Sequence, residues 1–213
     1  MNEKLEPIKL IKCLTETHEE LQKRRNRTTT DLEEKGTPFE KWIMQQIKRK
    51  ATVTIIARNQ WLDIIPPKEY EKAKQYYSKT LASLHDIGIM WNGKLQIIIE
   101  AGYREKFYFD PYTLPQCECS EWKNNNHVSL PKFDVERYTK IHTENPEIPY
   151  WIIIGKQNEI FAIVKLEDWT QNTFTDYNES LIDNHEQSVI CLKQTPHHTD
   201  IEQWMKAVHM PKK

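Results

Sequence analysis

His85-Asp-Ile-Gly-Ile-Met-Trp-Asn-Gly-Lys-Leu-Gln-Ile-Ile-Ile-Glu100 holds two apolar runs separated by Asn92-Gly93. Asn-Gly tolerates positive φ at both central positions of a tight turn, so this dipeptide between apolar runs predicts a β-hairpin. The register then decides which side chains meet. A plain two-residue turn pairs Trp91 with Lys94 and sets His85 opposite Glu100. A glycine bulge at Gly93 pairs Met90 with Lys94 and sets Asp86 opposite Ile98. Glu100 is then the diagonal neighbour of Asp86, roughly 7–8 Å away. Either register brings a metal-ligating side chain beside Glu100.

Two carboxylates gathered at one strand end repel each other unless a cation lies between them. A hard cation such as Mg²⁺ is held by one or two carboxylates, several waters and a substrate phosphate, which is the chemistry Asp86 and Glu100 can offer. Mn²⁺ also accepts imidazole, which makes His85 a further candidate ligand or proton shuttle. The plainer reading of the same residues is two solvent-facing strand ends and a histidine at the foot of a hairpin.

Outward from the hairpin the chain alternates helix and strand signals. Residues 2–26 carry Leu10, Cys13, Leu14, His18 and Leu21 at helical spacing. Thr37-Pro38-Phe39-Glu40 reads as a capping box opening a helix to about Lys50, with Phe39, Trp42, Ile43 and Ile47 on one face. Thr52–Ala57 is a short β-rich run, and a helix follows Pro66-Pro67 from Lys68 to about Leu84. Pro131 to Glu144 predicts a helix whose Phe133, Val135, Tyr138, Ile141 and His142 face inward. Tyr150–Ile154 is continuously apolar, the pattern of a strand covered on both faces. Ile160–Leu166 is a further strand, Ser188–Lys193 a late one, and residues 170–186 carry no clear signal. Thr199-x-x-Glu202 predicts a second capping box and a helix to about His209. Helices interleaved with a mixed sheet give an α/β class.

Bulk properties bound the partners. The formal charge of the 213-residue chain is −1, so no whole-protein basic field draws it to nucleic acid. Local clusters exist at Lys23–Arg27 and Lys48–Lys50, either solvated helix ends or phosphate contacts, and Arg24 and Arg25 are nucleic-acid-binding candidates. No apolar run approaches the ~18 residues of a membrane span and no secretory core is seen near Met1, so an intracellular, membrane-free setting is expected. Cys117-x-Cys119 with His127 downstream invites a zinc reading, but the spacing is not that of two clean ligand pairs. Trp61, Trp122 and Trp169 could serve a partner surface, though scattered tryptophans more often fill a core.

An Asp-opened strand, a tight hairpin and an apolar strand ending in Glu resemble the PD-(D/E)XK nuclease superfamily. The later elements follow suit: a helix with Asp134-Val-Glu-Arg-Tyr138, then Pro149-Tyr-Trp-Ile-Ile-Ile154, then Glu159-Ile-Phe-Ala-Ile-Val164. The resemblance spans roughly residues 37–168. It implies a restriction-endonuclease-like core there, with an N-terminal helical extension over 1–36 and a strand and helix over 169–213. It also implies a Mg²⁺- or Mn²⁺-dependent endonuclease acting on DNA as a homodimer. The ligands would be Asp86 and Glu100, with the Ala101 carbonyl as a third and Glu40 of the first core helix nearby. The family expects Glu-x-Lys, whereas this chain has Glu100-Ala-Gly102. The lysine's charge must then come from elsewhere, from Arg104 or Lys106 along the strand or Lys132 or Arg137 on the next helix, or be dispensable. Failing both, the fold only binds nucleic acid. Strand rise sets residues four positions apart ~13 Å from each other, which disfavours Arg104 and Lys106. Lys132 and Arg137 are also the candidates for positioning phosphate.

Overall fold

The computed structural model describes residues 37–57, 60, 85–104, 127–144, 146–177 and 186–213. The sequence-predicted helices over 2–26 and 68–84 lie outside them, as do Arg24, Arg25, Lys106, Cys117, Cys119, Trp61 and Trp122. The described elements begin with helix α1 (Thr37–Lys50), strand β1 (Thr54–Ala57) and the hairpin strands β2 (Ile87–Trp91) and β3 (Lys94–Tyr103). Strand β4 (His127–Pro131), helix α2 (Lys132–Glu144) and strands β5 (Tyr150–Lys156) and β6 (Glu159–Lys165) follow. Helix α3 (Leu166–Asn172), strands β7 (Thr173–Tyr177) and β8 (Glu186–Cys191) and helix α4 (Ile201–Ala207) complete the order.

Five strands form a mixed sheet in the order β1-β2-β3-β5-β6, and β4-β8-β7 form a smaller antiparallel sheet. β3 and β5 run parallel at the centre, with Glu100 level with Ile152. A central parallel pair buries both faces, which is why Tyr150–Ile154 and Ile97–Ile99 read as unbroken apolar runs. On one face Ile98, Ile152 and Ile154 pack against Val135 and Tyr138 of α2 and against Leu130 of the smaller sheet. On the other, Ile97, Ile99 and Ile153 meet Phe39 and Ile43 of α1 and Trp204 of α4. The fold is therefore α/β, a mixed sheet with helices on both faces.

Several local expectations change. Asn92 (φ 54°) and Gly93 (φ 75°) form the two-residue turn, and Trp91 pairs with Lys94. A bulge does occur, but between Ile89 and Met90: Met90 pairs with Leu95 whereas Ile89 pairs with Ile97. Gln96 is thus the extra residue, on β3 rather than at Gly93. The ladder therefore runs one residue out of the plain two-residue register, with Ile87 opposite Ile99, and Asp86 lies just beyond its end. Pro131 ends a strand instead of opening a helix; having no N–H, it is tolerated at the end of an edge strand. Residues 170–177, unreadable in sequence, form the end of α3 and β7. Trp169 is wholly buried, its indole N–H donating to Ser188 Oγ at 2.9 Å, so it is a core residue and not a partner surface. His127 lies in β4 opposite Cys191. Among the described residues no helix is long and apolar enough to cross a membrane.

Candidate functional site

The hairpin and the parallel strand pair together assemble a buried polar cluster. His85 and Asp86 precede β2, Glu100 lies in β3, Tyr150 opens β5 beside it, and Arg137 descends from α2. All are buried, with relative exposures of 2% for His85, 4% for Asp86, 6% for Glu100, 0% for Tyr150 and 6% for Arg137. Alternation along β3 places Glu100 on the same face as Ile98 and Gly102, the face covered by α2 and the smaller sheet.

Hydrogen bonds fix the acids. Asp86 Oδ2 accepts the Ala101 backbone N–H at 2.8 Å, which ties the foot of β2 to β3. Tyr150 donates its hydroxyl proton to Glu100 Oε1 at 3.0 Å. His85 Nδ1 stands 3.0 Å from the Tyr150 oxygen and 3.2 Å from Glu100 Oε1. With the tyrosine proton directed at Glu100, both neighbours of Nδ1 are acceptors, so Nδ1 carries the imidazole proton and Nε2 keeps the lone pair. Tyr138 stacks on Tyr150 with centroids 5.5 Å apart and walls the cluster from the core.

Charge follows from this burial. Burial foremost, then the Arg137 cation, push the His85 pKa down to about 3 against the opposing pull of Asp86, so the ring is neutral. Burial and the Glu100 carboxylate raise Tyr150 well above its ordinary value, so it stays a proton donor. Burial works against the Arg137 cation, but Tyr138, Asp134, Glu100 and Tyr150 outweigh it and hold the guanidinium charged. Arg137 Nη2 lies 3.5 Å from Asp134 Oδ1, and its guanidinium carbon 4.8 Å from the Tyr138 ring centroid.

Asp86, Glu100 and Asp134 set against Arg137 leave a formal −2 among residues at most 6% exposed. Carboxylate and backbone carbonyl oxygens are the donors that a hard divalent cation prefers. The donor set therefore suits Mg²⁺ or Mn²⁺, with the Asp86 and Glu100 carboxylates and the Ala101 backbone as the groups at hand. Among the described residues there is no group of three or more His, Cys, Asp or Glu side chains arranged to hold a metal. Any cation there would complete its shell with water and phosphate oxygens.

The other sequence-predicted residues separate. Lys132 does not join the cluster: its ammonium pairs with Glu186 at 2.6 Å, on the side of α2 that lines an open cleft of about 410 Å³. Arg104 turns its guanidinium onto the Tyr103 carbonyl at 2.8 Å. Glu40 is buried on α1, the helix that covers the opposite face of the sheet, next to Phe39, whose ring is 6.2 Å from that of Tyr103. At Gly102 a Cβ would meet Leu130 Cδ2 at 3.4 Å and Ile154 Cγ1 at 3.6 Å, ordinary van der Waals distances. Sequence reasoning missed Tyr150. Its one signal was a lone hydroxyl at the head of the apolar run Tyr150–Ile154.

No protein-family model matches the chain, and no curated protein matches it. Among solved structures it is similar to a nuclease from a fusselovirus, at 11% identity and a TM-score of 0.35, over 79% of this chain and 83% of that one. So distant a likeness carries no functional argument, which rests on the side chains themselves.

Proposed function

We propose that the chain is a divalent-metal-dependent endonuclease of the PD-(D/E)XK type that hydrolyses DNA phosphodiester bonds. The observation that carries this reading is the burial of Asp86 and Glu100 at the same end of the hairpin, Asp86 fixed by the N–H of Ala101, the residue after Glu100, and Glu100 fixed by Tyr150 and His85. Such fixed acids form one side of a cation site before substrate arrives, and preorganisation of this kind is where electrostatic catalysis gains most. Bound there, Mg²⁺ or Mn²⁺ would supply Lewis-acid activation of the phosphodiester and of water.

The chain's own groups divide the remaining work. Asp86 and Glu100 hold the cation, with the Ala101 carbonyl as a third oxygen donor. Tyr150 orients Glu100 through its hydroxyl. Neutral His85 presents Nε2 as a lone-pair donor, able to ligate or to accept a proton. Arg137 takes the part of the absent motif lysine, because among the described residues it is a buried cation whose field reaches both Glu100 and His85. A role for Glu40 in the outer shell is a separate proposal, tested by Glu40→Gln. Two-strand cleavage calls for two copies, so a two-fold homodimer is part of the reading.

The test is cleavage of supercoiled and branched DNA with Mg²⁺ or Mn²⁺, and with chelator as control. Asp86→Asn and Glu100→Gln each lower the rate on the order of 100-fold, the scale set by one preorganised electrostatic interaction. No cleavage by the wild type, or unchanged cleavage by both variants, removes this mechanism. One observation favours a second reading, a nucleic-acid-binding protein without turnover: Gly102 stands where the motif lysine is expected. Calorimetry with Mn²⁺ separates the two, since carboxylate-dependent binding is expected only of the nuclease.

A further inference from the structure

Away from the carboxylates, the fold brings two basic segments together. Lys48, Arg49 and Lys50 end α1, and the chain returns to them through its last residues. Thr52 N–H donates to the Pro211 carbonyl at 2.8 Å, Lys213 N–H to the Lys50 carbonyl at 3.2 Å, and Thr52 Oγ1 to the Lys212 carbonyl at 3.2 Å. Ala51 and Lys212 form an antiparallel bridge. Buried Ala51 and Met210 anchor the two segments in the core. Lys48, Arg49, Lys212 and Lys213 are exposed.

Residues 45–54 and 203–213 contain no Asp or Glu. The neighbouring acid is Glu202, which pairs with Lys50. Six cationic side chains (Lys48, Arg49, Lys50, Lys206, Lys212 and Lys213) against that one carboxylate leave a formal +5 among these described residues, on a chain whose total is −1. Like charges within a Debye length of ~10 Å repel, so this pairing of segments costs stability that a salt-bridged sequence would have spared. The side chains exposed around it, Gln45, Thr52, Thr54, Gln203 and His209, are polar. No large apolar side chain among these described residues stands ready to enter a bilayer.

We infer that this patch is a docking surface for the phosphate backbone of nucleic acid, distinct from the Asp86–Glu100 cluster. It lies at the turn end of the hairpin, because Thr54 pairs with Met90 and Met90 with Leu95. Glu100 is five residues further along β3, roughly 17 Å away. The patch therefore holds a backbone at a distance from the acids and adds no charge to them. This inference goes beyond the nuclease reading and does not need it.

The test is binding of a labelled DNA duplex by the full chain, followed by fluorescence anisotropy in chelator across a salt series. Lys48→Ala, Arg49→Ala, Lys212→Ala and Lys213→Ala together are expected to weaken binding at least tenfold near 0.1 M salt. The slope of log affinity on log salt should shrink by about 3.6, at ~0.9 for each of the four phosphates that are no longer neutralised. The thermal midpoint of this variant stays level or rises, because repulsion is relieved, which shows that it folds. The same weakening must appear in an Asp86→Ala, Glu100→Ala background, so failure of the nuclease reading leaves the result intact. Equal affinity and slope for wild type and variant overturn the inference. So does wild-type binding to phosphatidylserine vesicles in preference to DNA, with only that binding abolished in the variant.

Discussion

Gly155 and Gly102 are neighbours in register terms, yet they tolerate change very differently. A Cβ on Gly155 would overlap the Glu159 carbonyl oxygen and lie 2.7 Å from Phe39 Cζ, with α1 pressed onto the β5–β6 hairpin. Gly155→Ala is expected to cost about 2 kcal/mol or more, because a close-packed interior cannot yield at a backbone atom. At Gly102 the nearest atoms are side-chain carbons at 3.4 and 3.6 Å. Gly102→Ala is expected to stay within about 1 kcal/mol of wild type. Urea midpoints of the two variants check the contrast. His85 gives a pH prediction of definite sign. Its folded pKa, about 3, lies below the ordinary histidine value of 6.5. Between those values the unfolded chain binds more protons, so stability is complete above pH 6.5 and falls as the pH drops towards 3. In chelator, His85→Gln should flatten the acid-side decline by about one proton, read from urea midpoints against pH. An unchanged slope would mean that His85 titrates normally and is not buried neutral.

Short signals give the right kind of element and often misplace it by a residue or two. The helix near residue 200 shows why. Thr199-x-x-Glu202 fits a capping box, but Asp200 is the N-cap, its carboxylate accepting Gln203 N–H at 2.8 Å. Both residues are capping types, and only the backbone path selects between them. Asp200→Ala is therefore expected to cost about 1 kcal/mol, and Thr199→Ala only a few tenths. Thermal denaturation of the two variants ranks them, and the reverse order would restore the capping box. In the hairpin the same limit has larger consequences. Asn92-Gly93 specifies the turn, but the bulge at Gln96 is invisible in the sequence, and it shifts the pairing so that Ile87 stands opposite Ile99. A bulge responds to packing across the sheet, because the extra residue must be left unpaired where the twist allows it.

For the whole molecule, the proposed cation site would couple ligand to stability. A divalent ion that binds the folded state alone should stabilise by about 2.7 kcal/mol at one hundred times its dissociation constant. The thermal midpoint is thus expected to rise with Mn²⁺ in the wild type and to stay fixed in Asp86→Asn with Glu100→Gln. A rise of equal size in that double variant would place the ion elsewhere. The amino-acid sequence determined the α/β class, the hairpin, the central buried strands and both carboxylates of the candidate site. Each depends on local spacing, turn chemistry or a single apolar run, which neighbouring residues specify among themselves. The tertiary structure decided that Asp86 accepts the Ala101 N–H, that Tyr150 binds Glu100, and that Arg137 is buried with the acids while Lys132 turns away to Glu186. Those outcomes hang on the parallel pairing of β3 with β5 and on which face α2 turns inward. They join residues far apart in the chain through the shared burial of many side chains, and no local stretch of sequence encodes them.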